Sequence, residues 1–71
     1  MSKAQELDVV ELTEDLPAYG LKRGEQGTVI TAFDTPSEAY DLEFVDETAQ
    51  PVIAYVVMPD QIDLKWSAPK Q

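Results

Sequence analysis

Cysteine and histidine are both absent from this chain. No disulfide can staple it and no structural zinc can be held in the usual way, so packing has to supply the stability that other domains of this size take from cross-links or metals. The same absences remove the commonest general base and the strongest side-chain nucleophile. Basic side chains are scarce: five Lys and Arg stand against fourteen Asp and Glu, a net charge of -9. That balance repels phosphate backbones and anionic membrane surfaces, so neither nucleic acid nor membrane is an expected partner. Long apolar runs are missing too. No stretch approaches the roughly 20 residues of a bilayer-spanning helix, and MSKAQELDVVEL has acids where a signal peptide needs an apolar core. A cytoplasmic location is expected.

What is present suits one small β domain. With 71 residues there is room for a single core, and a chain of this size buries only about 60% of the surface its unfolded form exposes. Apolar residues alternate with period two. Tyr40, Leu42 and Phe44 alternate with Asp41 and Glu43, and Ile62, Leu64 and Trp66 with Asp63 and Lys65, the pattern of half-buried strands. LDVVELT and GTVITAFD are rich in β-branched residues and read as strands. PVIAYVVMP is a continuous apolar run between prolines and reads as the most buried strand. Asp34–Glu38 and Asp46–Pro51 carry turn residues, and Met58–Gln61 has room for one turn of 3₁₀ helix. Five strands, a long first loop and a 3₁₀ turn before the last strand predict an all-β, five-stranded SH3-like small barrel. Residues 7–66 form the domain, with 1–6 and 67–71 as flexible ends.

All three glycines, Gly20, Gly24 and Gly27, fall within LPAYGLKRGEQGTVI, beside Lys22 and Arg23. A nucleotide-binding fingerprint would place its glycines between a strand and a helix, and a P-loop would need GK followed by Ser or Thr. Here Thr28-Val29-Ile30 follows, which starts a strand. The glycines are therefore structural candidates, serving positive φ or close approach of chains where a strand bends.

Two resemblances follow from these residues. Gly24-x-x-Gly27-x-Val29 opening a strand is similar to a turn of KOW-type modules, which often contact RNA. Those modules are basic, so the resemblance implies the fold without the RNA function. DVVELTEDLPAYGLKRGEQGTVI, then AYDLEFVDETAQPV and MPDQIDL, resembles a family of small bacterial proteins, many of them cyanobacterial, catalogued as a domain of unknown function (number 4926 in that series). Its typical members read D-V-V-x-L-x-E-D-L-P-x-Y-G-L-x-x-G-x-x-G-T-V, then A-Y-x-V-E-F-V-D, with Leu42 here in place of the common Val. The resemblance implies a free-standing bacterial domain, associated with genes for nucleases or toxins.

No catalytic, cofactor-binding or metal constellation emerges. A carboxylate pair would need a cleft that a small filled barrel lacks, and Asp46-Glu47 has neither the spaced oxygens nor the glycine of a calcium loop. Six acids and no base lie between Asp34 and Glu47: Asp34, Glu38, Asp41, Glu43, Asp46 and Glu47. Alternation puts Asp41 and Glu43 on the outer face of their strand, so Lys at both is expected to leave folding intact. These six are the candidate contacts for a basic protein partner. Tyr19, Pro59 and Trp66 are weaker candidates, for an aromatic groove of the kind that takes polyproline segments. The expectation is a non-catalytic, acidic protein-binding module, monomeric or weakly dimeric. Its most specific form is an antitoxin or immunity-type inhibitor docking on a basic nuclease. The alternative is a small accessory or structural subunit of a larger complex, with acidity serving only solubility.

Overall fold

A computed structural model describes residues 4–45, 49–67 and 69. Five strands follow one another along the chain: β1 (Val9–Leu12), β2 (Gln26–Phe33), β3 (Ala39–Val45), β4 (Pro51–Val57) and β5 (Ile62–Trp66). Single turns of 3₁₀ helix occupy Pro17–Tyr19 and Pro59–Gln61. Every pairing is antiparallel and the sheet order is β4-β3-β2-β1-β5. The all-β, five-stranded fold with a 3₁₀ turn before the last strand is therefore as the sequence predicts. Closure is incomplete: β4 and β5 are the two edges of the sheet, with no pairing between them among the described residues.

β3 explains the clarity of the sequence pattern. Tyr40, Leu42 and Phe44 are buried while Asp41 and Glu43 between them are half-buried, because successive side chains leave a strand on opposite faces. β4 departs from expectation. Rather than the most buried strand it is an edge, with only Ala54 and Val57 buried, while Tyr55 and Val56 are 59% and 62% exposed. A continuous apolar run is buried on both faces only when both faces are covered, as helices do in parallel sheets. Among the described residues, no second layer covers the outside of β4.

The sheet bends where its ladder is irregular. In β2, Ile30 is an extra residue between Val29, opposite Leu42, and Thr31, opposite Asp41. In β4, Tyr55 and Val56 together oppose Asp41, because Tyr40 pairs with Val57 and Leu42 with Ala54. Two bulges thus flank Asp41 from both sides, and each adds twist and bends its strand. Val56 has φ +56°, a left-handed conformation that costs a β-branched residue about 1 to 3 kcal/mol.

Inside the bend lie Val10, Leu12, Val29, Tyr40, Leu42, Phe44, Ala54, Val57 and Ile62. The long loop closes this core with Leu16 and Leu21, which exchange backbone hydrogen bonds of 2.9 and 3.2 Å around the first 3₁₀ turn. Residues 4–7, ahead of β1, are packed and hydrogen-bonded. Ala4 is only 3% exposed, the Gln5 N–H donates to Asp8 Oδ2 at 2.8 Å, and the Leu7 N–H donates to the Val29 carbonyl at 2.8 Å. A small apolar residue in an otherwise polar segment carries no periodicity, so its docking is invisible to pattern.

The three glycines answer different needs. Gly20 (φ +69°) ends the first 3₁₀ turn and Gly24 (φ +93°) sits in the turn before β2. Gly27 has no positive φ, but a Cβ there would stand 2.7 Å from Phe44 Cε2. Gly27→Ala should therefore lower stability to urea by about 1 to 3 kcal/mol, the usual cost of forcing a packed core apart. Phe44→Leu in the same chain should make that loss smaller than the sum of the single changes. A Gly27→Ala protein as stable as the parent would contradict the packing.

Candidate functional site

The loop from Glu14 to Glu25 has two of the glycines and the basic pair that suggest an anion site, yet the backbone donors of that pair are already engaged. The Lys22 N–H donates to Glu25 Oε2 at 2.7 Å and the Arg23 N–H to Asp15 Oδ1 at 2.9 Å. Carboxylates thus occupy positions that a phosphate would need. Beside them Asp15, Pro17, Gly20, Leu21 and Lys22 line a shallow open depression. Among the described residues, no three His, Cys, Asp or Glu side chains are placed to hold a metal ion.

Four of the six acids singled out from the sequence lie among the described residues, and their surroundings differ. Asp34 is exposed in the β2–β3 connection. Glu38 Oε2 accepts the Tyr40 O–H at 2.7 Å. Asp41 Oδ1 accepts the Val56 N–H at 3.0 Å, supplying a partner for the donor that the β4 bulge pulls out of the ladder. Glu43 is half-buried on the outside of β3, opposite Thr28 on one side and Ile53 on the other. Asp46 and Glu47 lie outside the described residues. The expectation that Lys at both 41 and 43 leaves folding intact takes no account of the bond from the Val56 N–H to Asp41, which Lys at 41 would remove.

Of the groove candidates, Trp66 stands apart from Pro59. Trp66 ends β5 opposite Val9, at the far end of that strand from Pro59 in the second 3₁₀ turn. Tyr19 instead reaches the β4 edge: its hydroxyl accepts the Tyr55 N–H at 3.2 Å and donates to the Tyr55 carbonyl at 3.4 Å.

What the structure does bring together is an outer face on β2, β3 and β4. Ile30, Val45, Tyr55 and Val56 are exposed there, around Asp41 and Glu43. The β4 bulge puts Tyr55 and Val56 outside, which is why the sequence reading, with PVIAYVV assigned to the core, missed them. Between Arg23 and Lys65 the chain has no basic residue, so this face carries apolar and acidic groups with no cation from its own strands.

Beneath the face, Tyr40 is buried and its phenol is pushed up to about 12, first by burial and then by the hydrogen bond to Glu38 and that residue's negative charge. Folding therefore favours the neutral phenol.

The fold and this surface define a small, open, all-β domain with a mixed apolar and acidic outer face. The chain belongs to the family described as Domain of unknown function (DUF4926), whose model matches residues 6–63. No curated protein and no solved structure matches it. No helix among the described residues is long and apolar enough to cross a membrane.

Asp41→Ala should cost about 1 kcal/mol in urea unfolding, the net worth of a hydrogen bond whose donor water can reach once the carboxylate is gone. Glu43→Ala should stay within about 0.5 kcal/mol; equal effects at the two sites would contradict the different tasks assigned to them. In alkali, the contribution of Tyr40 should be complete below the ordinary phenol value of 10.0 and disappear as pH rises toward about 12, because the unfolded chain releases the proton first. Tyr40→Phe should remove that part of the pH dependence, and an unchanged alkaline profile would count against the buried, neutral phenol.

Proposed function

We propose that the protein is a non-catalytic binding module of the bacterial cytoplasm that docks on a basic protein partner through the outer face of β2, β3 and β4. One observation carries this reading: exposed Ile30, Val45, Tyr55 and Val56 surround Glu43 on strands that hold no basic residue. Apolar contact supplies affinity, while a surface of one charge sign speeds encounter and selects against acidic partners. Its most specific form is an immunity-type inhibitor that covers the nucleic-acid site of a nuclease, whose basic groups match these carboxylates. A second reading, an accessory subunit whose acidity serves only solubility and structure, draws support from the internal tasks of Asp8, Asp15, Glu25 and Asp41, each of which accepts a backbone N–H.

A partner captured from the source cell separates the two through its salt dependence. Docking on the acidic face predicts affinity that falls steeply between low and physiological ionic strength, and a further loss of about tenfold in Glu43→Lys, with Asp41 left in place to keep the fold. Affinity indifferent to salt and to Glu43→Lys would leave the accessory-subunit reading and remove this one.

A further inference from the structure

The two edges of the sheet are guarded differently. β5 carries Lys65, paired with Glu11 across the ladder at 3.3 Å, and charged side chains, Lys above all, are a usual protection against unwanted strand pairing. β4 carries no charged residue at all. Its protections are Pro51 at the start, the Tyr55–Val56 bulge, and the Tyr19 hydroxyl laid against the backbone of Tyr55. In a strand, the N–H and C=O of one residue point to the same side and alternate residues share that side. Tyr55 turns both groups outward to Tyr19, so Ile53 turns both outward as well, on a side where no strand pairs.

We propose that the β4 edge is a strand-addition site for an extended basic segment of the partner, with Tyr19 as a latch on its second position. This rests on the reading of the protein as a module for a basic partner. An added strand would take the Ile53 backbone groups first and those of Tyr55 after displacing the phenol. The phenol contacts of 3.2 and 3.4 Å lie at or beyond the long end of the range for good hydrogen bonds, so a strand amide and carbonyl would replace them on better terms. The added strand would lie about 5 Å from β4, within reach of Glu43, which sits opposite Ile53, for an outward Lys or Arg. Charge selects this occupant over a second copy of the chain, since two copies of -9 repel and neither β4 edge has a base to offer Glu43.

Peptides test it with the intact, isotope-labelled protein and NMR. The probe is an acetylated, amidated heptapeptide of alternating Lys or Arg and Val. One control has the same sequence with alternate amides N-methylated, and another has Glu in place of the basic residues. The basic peptide should shift the Ile53 and Tyr55 amide signals and slow their hydrogen exchange, the N-methylated form should lose at least most of that binding, and Tyr19→Phe should bind the basic peptide severalfold tighter. Equal binding of the methylated peptide would overturn strand addition while leaving docking on the acidic face. Equal binding of the Glu peptide would instead overturn the basic-partner reading. Absence of binding to both parent and Tyr19→Phe, or dimerisation of Tyr19→Phe through β4 in place of peptide binding, would also overturn the proposal.

Discussion

The hydrogen bond from the Val56 N–H to the Asp41 carboxylate, 3.0 Å long, fixes the place where this sheet turns. A chain with one core and no cross-links has to wrap a single sheet around its own apolar side chains. It does so by setting an extra residue in β2 and another in β4 on either side of Asp41. A bulge takes a backbone donor out of the ladder, and a hydrogen bond with a charged acceptor is among the stronger replacements for the lost partner. The Asp41 carboxylate is that replacement. It also holds Val56 at a φ that β-branched residues avoid.

The same bulge connects stability to function. Curling the sheet inward brings Val57 and Ala54 onto Leu42 and Tyr40, and in doing so it turns Tyr55 and Val56 out to solvent. The apolar part of the outer face is thus a consequence of how the core is closed. Tyr19, anchored between the Leu16–Leu21 bridge and Gly20, then covers one outward position of the β4 edge. The acidity of the chain divides along similar lines. Asp8, Asp15, Glu25 and Asp41 accept backbone donors in turns and at a bulge, whereas Glu43 stands among exposed apolar neighbours, where its charge is open to a partner.

Alternation made most of the fold legible. Asp41 and Glu43 announce the faces of β3, and Pro59 in a short connection announces a single 3₁₀ turn. Periodicity reports which way a side chain points relative to its neighbours and nothing about what lies beyond, so the apolar run of β4 looked like core when it is an edge. Asp41 looked like a surface carboxylate because alternation carries no sign of a bulge, which depends on the register between strands. Gly27 shows the intermediate case: a structural role is readable from its place before a strand, while the reason, the Phe44 ring against its Cα, comes from a residue seventeen positions later. Tyr19 was legible as an aromatic in a long loop, and its partner was not.

Amide hydrogen exchange at Val56 tests the central claim most directly. If Asp41 holds the bulge, the Val56 amide is protected in the parent protein. In Asp41→Ala it should exchange much faster, while the amides of Leu42 and Ala54, which pair with one another across β3 and β4, keep their protection. A Val56 amide that exchanges at the same rate with and without the Asp41 carboxylate would contradict the account.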